Sequence, residues 1–204
     1  MFYPDQTFQQ MSEQLMKIHQ DKLHQSRKLV LMVDLDNTLI HTTEIPCQLS
    51  PKKNVFKMKL EGSPTYYVRL RPYYKEFLEK ISELFELNIF TFACQSYAKT
   101  VAGFLDPDNT FFAQRIISRD NCFYPATKMA NVRFFSPCGE SMTCMIDDRE
   151  DVWNFAPGLV AVKPYMYSKK QNPYDSHVSM DSGTVAALYA LAGTTKIEIP
   201  SKKN

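Results

Sequence analysis

The chain has little of what marks several classes of protein. Its 5 cysteines form no Cys-x-x-Cys pair and have no matching histidine spacing, which argues against a disulfide framework and a zinc site. With 24 basic and 22 acidic residues, no charge excess indicates direct nucleic-acid binding or a membrane surface. No apolar run approaches the roughly 18 residues of a membrane span, and the polar N-terminus has no signal core. These absences predict a soluble intracellular protein.

What is present fits one globular domain. Of the 204 residues, 44% are hydrophobic and 23% are charged, which is the normal range for a chain with a sizeable core. Changes in patterning predict three parts: an N-terminal helical extension at 1–27, a main domain at 28–167 and a tail at 168–204 with a short helix.

Apolar runs typical of buried strands alternate with helical patterns along the main domain. Strands are predicted at 28–33, 87–92, 115–117, 142–146 and 159–162. Helices are predicted at 9–28, from Pro72 to Phe85, at 96–105 and at 184–192; the first has an apolar face of Met11, Leu15, Ile18 and Leu23, and the last is capped by Ser182 and ended by Gly193. This alternation predicts an α/β fold with a Rossmann-like central parallel sheet flanked by helices.

Two shorter segments interrupt this alternation after the first strand. Phe56–Leu60 and Thr65–Leu70 alternate in polarity on either side of the turn-prone Glu61–Pro64. The pattern predicts a small β-hairpin insert near the mouth of a site.

Polar side chains follow three predicted strands. Asp34-Leu-Asp36-Asn-Thr38 follows the first, Thr91 ends the second, and Asp147-Asp148 follows a later one. The carboxyl ends of parallel strands meet at one edge of a sheet, so these groups are expected to converge. Facing carboxylates repel unless a hard cation and a basic side chain neutralise them, which indicates a Mg²⁺ site beside a lysine.

Each of these residues also has an ordinary structural interpretation. Paired aspartates commonly lie in solvated turns. A threonine in a strand is commonly a β-former whose hydroxyl is hydrogen-bonded locally. Arg71, which precedes a proline, would then serve only as the partner of an acid. Lys128 is the expected basic side chain, although Lys99 and Arg133 compete with it. Trp153 is expected to lie in the core.

Four segments carry a resemblance to a known family. They are Leu29–Thr43, Arg69–Pro72, Phe104–Pro107 and Ile146–Trp153. From about residue 27 to about residue 167 the chain resembles the TFIIF-associating RNA polymerase II C-terminal-domain phosphatases, a branch of the haloacid dehalogenase superfamily.

The resemblance implies a set of catalytic roles. It makes Asp34 the nucleophile, Asp36 the acid and base, and Asp34, the Asp36 carbonyl and Asp148 the Mg²⁺ ligands. Further catalytic positions are implied at Thr91, Lys128, Asp147 and Asp148. Substrate-binding positions are implied at Thr38 and Arg71, and a supporting position is implied at Asp106.

The resemblance also implies a function. The expected activity is Mg²⁺-dependent serine/threonine dephosphorylation of the heptad repeats of the largest RNA polymerase II subunit, in the nucleus, with the transcription factor TFIIF as a further partner. An open groove is expected, edged by Tyr66, Tyr67, Tyr73 and Tyr74. The alternatives are a small-molecule phosphatase of the same superfamily and a catalytically silent phosphopeptide-binding protein. Members of this branch usually carry a BRCT domain after the catalytic part, which is not expected here, so recruitment is expected to differ.

Overall fold

A computed structural model describes residues 6–46, 54–136, 138–166 and 182–194. In chain order its strands are β1 Leu29–Val33, β2 Ile40–Thr43, β3 Val55–Lys59, β4 Thr65–Leu70, β5 Phe85–Phe90, β6 Ile116–Ile117, β7 Thr143–Asp147 and β8 Leu159–Ala161. Its α-helices are α1 Gln6–Ser26, α2 Tyr74–Ile81, α3 Gln95–Leu105, α4 Val132–Phe135 and α5 Ser182–Thr194.

A five-stranded parallel sheet forms the centre of the fold, in the order β6-β5-β1-β7-β8. All five residues of β1 are buried, because β1 lies between β5 and β7 and its two faces are covered. Helix α3 buries Tyr97, Ala98, Val101, Ala102 and Leu105 at helical spacing. The predicted α/β architecture and its five parallel strands are therefore confirmed.

The insert is larger than the predicted hairpin. Strands β3 and β4 pair antiparallel as expected, with Met58 opposite Tyr66. Strand β2, which was not predicted, pairs with the other side of β4 and places Thr42 opposite Val68. The insert is thus a three-stranded antiparallel sheet in the order β2-β4-β3. Four residues directly after a loop give too short a pattern to identify β2, since its pairing partner is distant in sequence.

The helix predicted at 9–28 forms, but its predicted apolar face is mostly exposed. Met11, Leu15 and Ile18 are 57%, 63% and 64% exposed, whereas Leu23 is buried. In the second half of α1, His19 bonds to Glu86. Helical periodicity thus identified the helix correctly and its buried face incorrectly.

Several element boundaries differ from the predictions for physical reasons. Strand β5 begins at Phe85, two residues before the predicted start at residue 87. The charged Glu86 lies in the strand, where it is bonded to His19. Helix α2 begins at Tyr74 rather than Pro72, since Tyr73 has a left-handed φ of 60°. Helix α5 includes both Ser182 and Gly193, which were predicted as its cap and its end.

Within the described ranges, no helix is long and apolar enough to cross a membrane.

Candidate active site

The loop after β1 starts the site at the carboxyl edge of the sheet. The backbone N–H of Asp34 donates to the carbonyl of Ile146 at 3.0 Å, which extends the pairing of β1 with β7 by one residue. The chain then turns at Asn37, whose φ is 59° and whose N–H donates to the Ile40 carbonyl at 2.7 Å. Asparagine tolerates this left-handed conformation better than most residues. The turn leaves Asp34 and Asp36 beside one cavity.

Lys128 lies between two aspartates. Its Nζ is 2.5 Å from Oδ1 of Asp34 and 2.6 Å from Oδ2 of Asp147. The residue is only 2% exposed. Lys99 and Arg133, the competing basic residues, are both exposed to solvent. The ammonium group thus neutralises part of a buried acidic cluster, as was predicted for Lys128.

Asp147 is held by three donors. Besides Lys128, the indole Nε1 of Trp153 donates to Oδ2 at 2.8 Å, and the backbone N–H of Arg149 donates to Oδ1 at 2.9 Å. Trp153 is fully buried, so its expected core position is correct and it also orients a carboxylate. Both oxygens of Asp147 are therefore already engaged.

Asp148 and Thr38 hold each other across the two loops. The Thr38 hydroxyl donates to Oδ1 of Asp148 at 3.3 Å and accepts from its backbone N–H at 3.1 Å. Thr38 is fully buried and does not line the cavity, so its hydroxyl orients Asp148.

Asp36 has a tyrosine partner that was not predicted from the sequence. The hydroxyl of Tyr97 donates to Oδ1 of Asp36 at 2.5 Å and lies 2.7 Å from the Thr42 hydroxyl. Tyr97 comes from α3 and Thr42 from the insert, so two separate elements fix the orientation of one carboxylate. Tyr66 packs edge-on against the Tyr97 ring, with centroids 6.3 Å apart.

These groups surround a cavity of about 390 Å³. The Thr91 hydroxyl accepts from the backbone N–H of Ala93 at 3.1 Å, and both residues line the cavity. The other lining residues are Asp34, Asp36, Asn37, Phe92, Lys128, Asp147, Asp148, Arg149 and Val152.

Burial and neighbouring charges change the acidity of the cluster. Burial raises the pKa of Asp34 from 3.8 to about 7, with Lys128 opposing the shift and Asp147 adding to it. Burial also raises the pKa of Asp36, against the hydrogen bond from Tyr97. Burial would lower the pKa of Lys128, but the charges of Asp34 and Asp147 outweigh it and raise this pKa overall. Lys128 therefore stays charged, whereas the carboxylates need more positive charge to ionise fully.

The donor set fits a hard divalent cation. Carboxylate oxygens of Asp34, Asp147 and Asp148 lie within 4.8 Å of one another, and Mg²⁺ prefers oxygen ligands. The two oxygens of Asp147 already accept bonds from Lys128, Trp153 and Arg149. Asp34 and Asp148, two of the three predicted ligands, therefore remain the better side-chain donors.

Besides Thr38, which was expected to bind substrate, two further predicted residues do not line the cavity. Arg71 is buried, and its guanidinium donates to the carbonyls of Thr38 at 2.9 Å and Lys163 at 3.2 Å, so it supports the loop after β1. Asp106 follows the end of α3, and its carboxylate accepts from the backbone N–H groups of residues 110–112. Neither residue is among those that line the cavity.

The four tyrosines expected to edge a groove have different surroundings. Tyr66 packs against Tyr97, and Tyr73 is 56% exposed beside α2. None of the four lines the described cavity, so their role in binding a peptide stays a prediction.

Comparison with known proteins adds three findings. Residues 29–181 match the family described as NLI interacting factor-like phosphatase. The chain is 56% identical over 157 residues to a C-terminal domain phosphatase of RNA polymerase II from Homo sapiens, covering 76% of this chain and 16% of that protein. It is 41% identical to the Caenorhabditis elegans protein of the same name, covering 74% and 23%.

Solved structures resemble the fold as a whole. The structure of Fcp1, an essential RNA polymerase II CTD phosphatase, matches with a TM-score of 0.66 and 33% identity, covering 90% of this chain and 55% of that chain. Fission yeast Fcp1-R271A bound to beryllium fluoride matches with the same TM-score and 32% identity, again covering 90% and 55%. The chain spans less than a quarter of the length of the two curated relatives named above.

Proposed function

Because the chain belongs to the NLI interacting factor-like phosphatase family, we propose that it dephosphorylates phosphoserine or phosphothreonine in the C-terminal heptad repeats of the largest RNA polymerase II subunit. The relatives in human and nematode carry the C-terminal domain of that polymerase in their names. The fold of this chain is that of the haloacid dehalogenase superfamily, as its match to Fcp1 supports.

One observation carries the proposal: the buried contact of Lys128 with Asp34 and Asp147 beside a second pair of carboxylates. A protein that only bound phosphopeptides would gain nothing from burying these like charges together. Desolvation by burial, with the repulsion of the neighbouring carboxylates, raises the pKa of Asp34 to about 7, which disfavours the native state. Perturbed carboxylates in a cleft are typical of sites that do chemistry.

The proposed mechanism has two displacements at phosphorus. In the first, a carboxylate oxygen of Asp34 forms a bond to phosphorus while the bond to the serine or threonine oxygen breaks, and Asp36 gives its proton to that leaving oxygen. In the second, Asp36 takes a proton from water as the water attacks phosphorus, which frees phosphate and regenerates Asp34. Lys128 offsets negative charge on the transferring oxygens throughout.

Mg²⁺ is the proposed cofactor, held by Asp34, by Asp148 and by the carbonyl oxygen of Asp36. When bound, it supplies positive charge that favours ionised Asp34 and neutralises the phosphoryl oxygens. Thr38 keeps Asp148 oriented for this role.

Two further proposals concern the location of the protein and a partner. The nucleus is the expected location because the polymerase tail is there. TFIIF is a proposed partner that the family resemblance suggests, and co-precipitation with the tagged chain tests it directly.

The test is phosphate release from a heptad phosphopeptide with Mg²⁺, run beside Asp34→Asn and a Mg²⁺-free control. Release that both controls abolish is the expected result. No release from the peptide by a preparation that hydrolyses an aryl phosphate would reject the proposed substrate.

A further inference from the structure

The segment that carries Lys128 also presents an exposed group of aromatic side chains. Phe123, Tyr124 and Phe134 are 68%, 43% and 38% exposed. The rings of Phe123 and Phe134 have centroids 4.7 Å apart, and Tyr124 stacks on Phe134 at 6.2 Å. We name these three residues, with Arg133, the aromatic platform.

Arg133 completes the platform on its polar side. Its guanidinium lies over Phe134, 4.7 Å from the ring centroid, and over Tyr124 at 5.8 Å. It also donates to the Tyr124 hydroxyl at 3.2 Å. The side chain is therefore used to hold two rings in place, although it remains exposed.

The backbone beneath the platform is fixed by one buried side chain. Oδ1 of Asn131 accepts from the N–H groups of Phe123 and Tyr124 at 2.9 and 3.1 Å. Its Nδ2 donates to the carbonyls of Tyr124 and Thr127, both at 2.8 Å. Asn131 is fully buried, so the rings are presented on a preorganised loop, which lowers the cost of binding.

The platform is continuous with the active site. Tyr124 precedes Lys128 by four residues, so their Cα atoms are at most roughly 14 Å apart. Thr127, between them, donates to the carbonyl of Val152, which lines the cavity. An extended peptide rises about 3.3 Å per residue, so about four residues span the distance from the phosphorylated position to the platform.

We propose that the aromatic platform binds the polypeptide of the phosphoprotein substrate beside its phosphorylated residue, and that it selects substrates carrying a proline or tyrosine ring within about four residues of that position. The proposal rests on the proposed function and deepens it. Exposed aromatic faces recognise proline and aromatic rings at little entropic cost. Contiguous apolar groups on a protein surface often mark interaction sites.

The experiment compares two phosphopeptides and one small substrate on the 204-residue chain. One peptide carries proline and tyrosine around the phosphoserine, and the other carries alanine at those positions. The small substrate is an aryl phosphate, which enters the cavity but is too short to reach the platform. The variants are Phe123→Ser and the double variant Phe123→Ser/Tyr124→Ser, with Leu15→Ser, 63% exposed on α1, as a control of similar exposure.

The wild-type chain is expected to prefer the proline- and tyrosine-containing peptide. In the double variant, kcat/KM for that peptide, divided by kcat/KM for the aryl phosphate, is expected to fall about tenfold, mainly through KM. The Phe123→Ser variant is expected to show a smaller fall of the same kind. Leu15→Ser is expected to match the wild type on all three substrates.

The possible failures are distinguishable. Double-variant protein that keeps the wild-type preference between the peptides overturns the platform while leaving the proposed function intact. A wild-type chain that hydrolyses the aryl phosphate but neither peptide overturns both. A concentration-dependent dimer that Phe123→Ser dissociates would make the platform a contact between copies of the chain and also overturn the proposal.

Discussion

The central sheet has one buried aspartate near its carboxyl edge and another near the opposite edge. The two carboxylates have different hydrogen-bond and charge partners. Asp34 and Asp106 are both 7% exposed. Asp34 follows β1 at the carboxyl edge, whereas Asp106 lies at the far end of α3, which begins beside the cavity and runs back for roughly 16 Å. The two carboxylates are thus equally exposed but have different partners.

Three backbone N–H groups, from Thr110, Phe111 and Phe112, surround the carboxylate of Asp106 at 2.8 to 2.9 Å. These neutral donors are fixed by the fold and stabilise the negative charge. Asp34 faces Lys128 but also Asp147 and Asp36, and burial, together with the charges of these two carboxylates, raises its pKa to about 7. One arrangement gives an aspartate a structural role, and we propose that the other makes it reactive.

The largest effect in this comparison is expected from Asp34→Asn. The amide cannot form the aspartyl-phosphate, so kcat is expected to fall by at least about a thousandfold. Asp21→Asn, at an exposed position on α1, is the matched control and should keep wild-type activity. Steady-state kinetics with an aryl phosphate provide the measurement, and an active Asp34→Asn would remove Asp34 from the mechanism.

Lys128→Met removes the ammonium group and keeps an unbranched side chain of similar shape. The free energy of unfolding is expected to fall by roughly 3–5 kcal/mol at about pH 8, because two buried carboxylates lose their counter-charge. Activity is expected to fall at least about a hundredfold as well. Denaturant unfolding and kinetics on Lys99→Met, which changes an exposed lysine, provide the control. Equal stability of the two variants would contradict the electrostatic account.

The raised pKa of Asp34 predicts a pH dependence in Mg²⁺-free protein. Between pH 3.8 and about 7 the folded state keeps a proton that the unfolded state releases, so the contribution of Asp34 to stability decreases as pH rises through this window. The contribution is of order 4 kcal/mol, since each pKa unit corresponds to about 1.36 kcal/mol. It is measured as the unfolding free energy of the wild type minus that of Asp34→Asn. A flat difference across the window would contradict it.

Asp106→Ala tests the other side of the comparison. Three backbone N–H groups lose their acceptor, so unfolding free energy is expected to fall by about 2–4 kcal/mol. The folded fraction should retain its kcat, since Asp106 does not line the cavity. Asp108→Ala, at an exposed position two residues away, should change neither quantity. Loss of kcat in folded Asp106→Ala would show that this edge also affects the chemistry.

The smallest expected effect belongs to Tyr97→Phe. The hydrogen bond from Tyr97 lowers the pKa of Asp36, so its loss should raise that pKa further and move the alkaline limb of the pH–rate profile upward. A decrease in kcat of about tenfold is expected from the less well oriented acid. The control is Tyr189→Phe on α5, and an unchanged pH profile would limit Tyr97 to a packing role.

Much of this organisation was predictable from sequence because it depends on local patterns. The buried apolar runs identified all five strands of the central sheet, and the strand ends identified Asp34, Thr91 and Asp147 as neighbours. The relation between α3 and the site was not predictable in the same way. Tyr97 looks like any core tyrosine until the packing of α3 brings its hydroxyl to Asp36.

The same limit explains the other omissions. Trp153 was correctly predicted to be buried, but its bond to Asp147 depends on the turn between them. Strand β2 depends on pairing with β4, which lies more than twenty residues away in the chain. For α1, periodicity indicated an apolar face, but the protein buries only Leu23 of the four predicted residues.

The most direct test of the central claim is chemical trapping of the intermediate. The chain is quenched during turnover of a phosphopeptide and treated with borohydride, which reduces an aspartyl-phosphate, and peptide mapping then locates the reduced residue. Reduction at Asp34, absent without substrate and absent in Asp34→Asn, is the predicted result. Reduction at another aspartate, or normal turnover with no reducible residue, would contradict the assignment of Asp34 as the nucleophile.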